Sequence, residues 1–493
     1  MSANIDNASA ATPAAAAGTV AATGAITGTT TGQRSAVGTG TAAAGPLTGP
    51  NNREDWLAVG IGLAVVLIAA LLFLSGGSIK WLAVAPAKWT HPGEVGTQLA
   101  GHAAQYLALY LFWLAAFGAA AAALGYGIAR FVGAFTVVFL LSLLLYFAGQ
   151  WDQSAHYGLE PPLVGLVLGL LLANTVGLPR WLDAGLRVEL YIKTGIVLLG
   201  AGVPLALIAW AGPVALLQAG IVSLVTFGTI YFLATRLGLD KRLAAVLGTG
   251  GAVCGVSASI AISGAVGAKK EHASLAISLV VFWAIVLIFV LPFAARALGL
   301  STGVAGAWIG TSELADATGL AAAQAYGGFA GKVAGISGSA DAAVNAFTLM
   351  KVIGRDIWIG VWAFVLSIVA TTLWSRGEGG AGADAGQIWR RFPKFVLGFL
   401  AASLIVTVLT RGGSYADYKK VIQPGLVAPL QSLRVWAFTF TFLAIGLSTR
   451  IREFAAVGLK PFVAFTTGVA VNFVLGYLLS TQVFVEFWTR LSQ

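Results

Sequence analysis

Four ionisable residues stand where a membrane makes ionisable residues expensive. Glu313 and Asp316 fall three positions apart in AWIGTSELADATGLA, which puts them on one helical face. Lys351 and Arg355 fall four apart in the next apolar stretch, also on one face, and Asp356 adjoins Arg355 as a neutralising partner. Each such group costs roughly 2.5–3.5 kcal/mol at the centre of a membrane helix, so its presence calls for a task. An oxyanion entering a membrane must exchange its hydration for donors and positive charge. Lys351, Arg355 and Lys193 can supply the charge, and a forked guanidinium suits a tetrahedral or planar oxyanion. Glu313 is the candidate ion-coupling group, with Ser312 and Asp316 beside it. A carboxylate desolvated in a helix bundle can load and release a proton, or hold a sodium ion together with backbone carbonyls. The same acids, with Lys351 as counter-charge, would equally serve a cation:proton antiporter. The plainer reading of the set is structural ion pairing, above all for Asp316 and Asp356.

A second constellation is made of small and hydroxyl residues. Gly248–Ala268 reads GTGGAVCGVSASIAISGAVGA and lies between the basic pairs Lys241-Arg242 and Lys269-Lys270. It is long enough to span, yet its first half is Gly, Thr, Ser and Cys. Lipid tolerates irregular backbone only where protein or a water-filled cavity covers it, so the segment is expected to be a broken helix lining a path. Close helix packing through small residues is the simpler alternative. Backbone N–H groups freed at the break, around Gly251 and Gly255, would give a substrate neutral donors, with hydroxyls from Thr249, Ser257 and Ser259. Cys254 reads more naturally as a small packing residue within the same segment. Asn174 and Thr175, ending a short apolar span, are further lining candidates.

The elements that would position these groups follow from composition. The 493-residue chain is 58% hydrophobic and 10% charged, with a mean hydropathy of +0.86. That balance excludes a soluble globular domain and places the chain in a lipid bilayer as an all-α polytopic membrane protein. The net charge of +10 resides mostly in short loops beside apolar runs, where it sets orientation and meets lipid headgroups, so no nucleic-acid partner is expected. One cysteine allows no internal disulfide. The four histidines fall in or beside loops, and neither H-E-x-x-H nor a Walker A sequence is present, so the chain is not expected to be an enzyme or to carry a cofactor or metal. Tryptophans near span ends, such as Trp56, Trp81, Trp151 and Trp374, read as an aromatic belt.

Residues 1–52 are almost wholly Ala, Thr, Gly and Ser and are expected to be a disordered tail, without the pattern of a cleaved signal peptide. About thirteen apolar segments follow, judged by length and flanking charge. Three leading spans occupy 53–155, at 56–75, 103–124 and 131–149. The remainder are 161–177, 187–210, 212–235, 243–267 and 273–298, then 303–326, 341–373, 391–410, 425–449 and 459–483. Lys and Arg crowd the loops in the 180s, 236–242, 376–394 and 450–460, which predicts a cytoplasmic tail in a bacterial inner membrane. The loop 411–420, with Arg411, Lys419 and Lys420, runs against that orientation. Arg434, a few residues into its span, is expected to snorkel to the interface. The leading spans offer surface for a homodimer contact.

The last ten segments read as two sets of five, over 156–300 and 301–493. LVGLVLGLLLANTVG (Leu163–Gly177) and VAGAWIGTSELADATG (Val304–Gly319) open them, each short and ending in polar groups. LYIKTGIVLLG (Leu190–Gly200) and TLMKVIGRDIWIG (Thr348–Gly360) come next, each with a lysine soon before a glycine. The fourth members are Gly248–Ala268 and LRVWAFTFTFLAIGLSTRI (Leu433–Ile451), with Ser448 and Thr449 as lining or capping groups of a second broken helix. An odd number of spans per set inserts the two copies with opposite topology, an arrangement found in transporters.

In LVGLVLGLLLANT, GLRVELYIKTGIVLLGAGV, GTGGAVCGVSASIA, AWIGTSELADATGLA, the Lys351–Arg355 helix and LAIGLSTRI, the chain resembles the YeiH-like sulfate exporter family. These elements appear in the family's order from Leu163 to the C-terminus, and GGAVCGVSA (Gly250–Ala258) is the most specific of them. Ser312-Glu313 stands where many members carry His-Glu, and the lysine-to-arginine spacing is four instead of three. The resemblance implies membership of the cation:proton antiporter/anion transporter superfamily, with crossed discontinuous helices in two inverted five-helix repeats. It also implies a secondary active exporter of a small anion such as sulfate or an organosulfonate, coupled to protons or sodium. A cation:proton antiporter and a passive anion channel are the alternatives.

Overall fold

Charge-free runs of Leu, Val, Ala and Phe become helices because lipid offers the backbone no partner outside itself. The computed structural model describes residues 52–152, 161–374, 389, 392–410, 418–452 and 457–492, about four fifths of them helical. No named strand occurs among the described residues, and the isolated bridge found there joins Trp89 to Trp151. The expected tail lies outside the described residues except for Asn52, as do the borders at 155 and 156. Eight of the described helices are long and apolar enough to cross a bilayer, and three shorter apolar helices accompany them. The protein is an all-α polytopic membrane protein.

The chain opens with α1 (Asn52–Leu74), the short α2 (Pro92–Gly101), α3 (Ala103–Ala123) and α4 (Ile128–Gly149). There follow α5 (Pro161–Thr175), α6 (Val188–Gly200), α7 (Leu205–Arg236), α8 (Lys241–Ala252), α9 (Val256–Ala265) and α10 (Lys270–Ala297). Then come α11 (Thr302–Ser312), α12 (Asp316–Gly327) and α13 (Ala340–Thr348), which runs into a π-helical stretch, Leu349–Arg355. The rest is α14 (Trp358–Val369), α15 (Lys394–Leu409), α16 (Ala428–Ser448), α17 (Leu459–Leu478) and α18 (Val485–Arg490).

Contacts sort these helices into two groups. In one, α16 packs along α5, α6 and α4, while α1 and α15 pack on α6 and on each other. In the other, α7 packs on α8, α17 and the π-helical stretch, α11 on α12 and α13, and α10 on α8 and α12. An aromatic core ties α3 and α4 into the first group. Trp113 stacks on Phe117 at 4.9 Å, Phe117 meets Tyr191 edge-on at 4.7 Å, and Phe139 stacks on Trp436 at 5.3 Å. Such pairs add about 0.5–1.5 kcal/mol each beyond their buried area.

Two expectations about segment boundaries are corrected. The spans expected at 187–210 and 212–235 divide earlier: α6 ends at Gly200 and α7 runs unbroken from Leu205 to Arg236. Pro204, with φ −60°, is the residue before α7, where a ring-locked φ and an absent donor cost nothing. Pro213, which suggested the boundary, is absorbed inside α7. The second broken helix expected in Leu433–Ile451 is also absent, for α16 is continuous to Ser448. The other interrupted span is instead α11–α12, which stops at Ser312 and restarts at Asp316.

The leading helix α1 is fixed by charge as well as by packing. Asp55 accepts from Lys193 Nζ at 2.7 Å and from the Lys394 backbone N–H at 3.0 Å, joining α1 to α6 and α15. Glu189 stands 3.1 Å from the same ammonium. Removing one partner of a largely buried pair strands the other. Asp55→Ala should therefore destabilise the protein by about 1–3 kcal/mol, Glu189 retaining part of the compensation, read as a lower thermal unfolding midpoint in detergent.

Candidate functional site

The site is built where two helices stop inside the protein. Asp240 starts α8 by accepting from the N–H groups of Arg242 and Leu243, and α8 then runs to Ala252. The chain is non-helical over Val253–Gly255 and resumes as α9. Gly255 makes the turn with φ 65° and ψ −103°, a backbone open only to glycine. The expectation of a broken helix within Gly248–Ala268 is met. The second interruption, Glu313–Ala315, lies directly against the first, since a Cβ added to Gly255 would stand 2.8 Å from the Leu314 carbonyl oxygen.

A helix end leaves carbonyls without partners, and at membrane depth each costs several kcal/mol unless a donor reaches it. Lys351 and Arg355 are those donors. Lys351 Nζ donates to the carbonyls of Val253 (3.1 Å), Glu313 (2.9 Å) and Leu314 (3.1 Å). Arg355 Nη1 donates to Thr311 (2.6 Å) and Glu313 (2.8 Å), and Nη2 to Gly251 (3.3 Å). Each cation thus joins the carbonyl ends of α8 and α11. Both come from the π-helical Leu349–Arg355 and both are fully buried.

The acids complete the crossing. Glu313 Oε1 accepts from Thr318 Oγ1 at 2.6 Å, while its Oε2 is buried without a hydrogen-bond partner. Asp316 Oδ1 lies 3.8 Å from Lys351 Nζ, an ion pair without a hydrogen bond. Both carboxylate oxygens of Asp356 and the Ser312 hydroxyl are likewise buried and unpartnered. The unfilled valences of the crossing are therefore chiefly acceptors, with Arg355 Nε the exception among its cations. On the other side of each interruption the starts of α9 and α12 have no side-chain cap, and their N–H groups carry the positive end of the helix dipole.

The remaining expected residues are distributed as follows. Gly251 and Gly255 are at the crossing, the first through its carbonyl and the second through its turn. Thr249 and Ser259 spend their hydroxyls on carbonyls of their own helices, Ala245 and Gly255. Ser257 is half-buried at the start of α9, and Cys254 is buried in the turn. Lys193 is held by Asp55 and Glu189. Asn174 bridges the ends of α5 and α16, donating to the Thr449 carbonyl at 3.0 Å and accepting from the Ile451 N–H at 2.9 Å. Thr175 bonds within α5 to Leu171. Among the described residues no His, Cys, Asp and Glu group of three or more converges as a metal site.

Two contributors escape a reading by residue type. Thr318 holds Glu313, and Gln218 in the middle of α7 donates to Thr311 Oγ1 (3.2 Å) and Ser480 Oγ (2.8 Å) while accepting from Trp488 Nε1 (2.8 Å). A lone carboxamide inside a long apolar run is the signal that would have found Gln218.

The turn at Gly255 yields a direct prediction. Gly255→Ala forces a side chain into positive-φ backbone, 2.5 Å from Val280 Cγ1 and 2.8 Å from the Leu314 oxygen. It should cost about 1–3 kcal/mol in backbone strain alone, seen as a lowered unfolding midpoint. Gly60→Ala on α1, where nothing lies within 4 Å, should leave the midpoint unchanged or raise it.

Comparison with known proteins places the chain among membrane proteins of its own kind. The family model described as conserved hypothetical protein 698 matches residues 134–465. A UPF0324 membrane protein of Rhodopirellula baltica is 34% identical over 412 residues, covering 81% of this chain and 72% of that protein. A UPF0324 membrane protein of Nitratidesulfovibrio vulgaris is 33% identical over 390 residues, 75% of this chain and 62% of its own length. One from Nitrosomonas europaea is 28% identical over 458 residues, 83% of this chain and 91% of its own. No solved structure matches. With two thirds of its length under the family model and its crossing inside the matched region, the chain belongs to the conserved hypothetical protein 698 family of UPF0324 membrane proteins.

Proposed function

We propose that this protein is a secondary active transporter rather than an enzyme, with Glu313 and Asp316 carrying a coupling proton or sodium ion and a small anion as cargo. The observation that carries the proposal is the crossing of two interrupted helices among acids of which four oxygens accept no hydrogen bond. A proton or a sodium ion is the kind of occupant such oxygens accept, and interrupted helices at membrane depth are where transporters bind their ions. The uncapped starts of α9 and α12 supply N–H donors suited to an oxyanion. The resemblance to YeiH-like exporters directs that donor set to sulfate or an organosulfonate.

Helix pairing supports the two inverted repeats. The short first span of one set, α5, packs on the fourth of the other, α16, and Gly169 closely approaches Gly446. The α11–α12 and α8–α9 interruptions meet in the corresponding way. With basic loops on the cytoplasmic side, the N-terminal tail lies in the cytoplasm and the protein in a bacterial inner membrane. The exposed faces of the leading helices serve a homodimer contact.

A second reading, cation:proton antiport, is favoured by one observation. Every donor of Lys351 is engaged by a carbonyl, and so are the terminal nitrogens of Arg355, which leaves the acids as the groups with capacity to spare. Lys351 is then the counter-charge to Asp316.

Flux in proteoliposomes tests both. Labelled sulfate should accumulate saturably under an imposed pH or sodium gradient. Glu313→Gln should reduce gradient-driven accumulation by about tenfold or more while sparing sulfate exchange at zero gradient. Unchanged accumulation in that variant would remove Glu313 from coupling. Absence of sulfate flux, with proton movement on adding sodium, would establish antiport instead.

A further inference from the structure

Away from the crossing, a polar cavity of about 330 Å³ lies between α13 and α16. It is lined by Asp341, Asn345, Gln423, Val427, Gln431 and Arg434, with Gly202 in its wall. That volume is at the lower end of small-molecule pockets, and three carboxamides and two opposite charges share the lining with Val427. Arg434 does not snorkel to an interface as its position in the span suggests. It is 8% exposed, its Nε is buried without a partner, and no hydrogen bond to its guanidinium occurs among the described residues. Asp341, in the first turn of α13, is exposed.

The two charges line one cavity but form no ion pair within 4.0 Å among the described residues. A buried guanidinium that could be neutralised by a nearby carboxylate, yet is held apart from it across a cavity, calls for an occupant bearing both signs. A plain anion would satisfy Arg434 and be repelled by Asp341. A plain cation would leave Arg434 unpaired at the buried wall.

We infer that this cavity binds a small zwitterion, its carboxylate or other oxyanion group on Arg434, its ammonium on Asp341, and the carboxamides of Asn345, Gln423 and Gln431 completing its hydrogen bonds. The guanidinium offers a fork to two oxygens, and the amides can both donate and accept. Gly202 keeps the wall low: a Cβ there would sit 3.4 Å from Gln431 Nε2, in ordinary contact, so a longer side chain would project into the space without straining the backbone. The site stands apart from the transport reading, because its occupancy is measurable without flux.

The test is calorimetric titration of the full-length protein in detergent with glycine, β-alanine and 4-aminobutyrate, which vary the spacing of the two charges. Propionate and propylamine serve as singly charged controls. At least one zwitterion should bind, and each control should bind about tenfold more weakly or not at all. Asp341→Asn and Arg434→Gln should each weaken the zwitterion by about tenfold or more, and Gly202→Leu should block it. Asp341 is exposed and Gly202 unstrained, so those two variants test the site even if loss of Arg434 disturbs folding. Propionate binding as tightly as the best zwitterion, unaffected by Asp341→Asn, would overturn the inference in favour of a simple anion site. No heat from any of the three zwitterions would overturn it outright.

Discussion

Two buried cations holding the carbonyl ends of two stopped helices are the constraint on which the rest of the structure depends. A helix can end inside a membrane protein only if its last carbonyls find donors, and water is not there to provide them. Lys351 and Arg355 each reach carbonyls from both α8 and the α11 end, so neither interruption is stable without the other. Each helix end in turn presents about half a negative charge, which offsets part of the cost of burying an ammonium and a guanidinium. The arrangement is mutual compensation: cations that lipid would not accept alone, and helix ends that it would not accept alone.

The helices around the crossing are shaped to deliver those cations. Both residues project from a π-helical stretch, a geometry that recurs at functional positions. That stretch lies close against α7, because a Cβ at Gly354 would stand 2.7 Å from the Ala215 carbonyl oxygen. Gly306 plays the same part between α11 and α13, where an added Cβ would collide with the Ala343 carbonyl. Small residues matter here for proximity, since helices in lipid associate by packing and not by expelling water.

Charge is partitioned between fixing the scaffold and leaving capacity at the crossing. Asp55, Lys193 and Glu189 neutralise one another and pin α1 to α6, and Asn174 locks the ends of α5 and α16 together. At the crossing the balance is incomplete: Glu313, Asp316 and Asp356 outnumber their cationic partners, and four of their oxygens accept no hydrogen bond.

How much of this was legible follows from where the information resides. Membrane class, helical spans and the break near Gly255 were written in local composition, because apolar length and glycine in a span act on their own neighbourhood. The intramembrane charges were equally visible, since each is anomalous for its surroundings. The interruption at Glu313–Ala315 was not, for Glu-Leu-Ala contains no helix breaker, and the donors that take its carbonyls, Lys351 and Arg355, come from a later segment. The same distance in sequence hid the true partners of Lys193 and Asn174, which are contributed by Asp55 and by the end of α16. Arg434 looked like an interfacial residue because it lies early in its span, and only the folded structure shows it buried at the wall of a cavity shared with Asp341 and Asn345. Local composition determined which segments enter the membrane and which are irregular. The tertiary structure decided which donor meets which carbonyl, because that depends on approach between helices far apart in the chain.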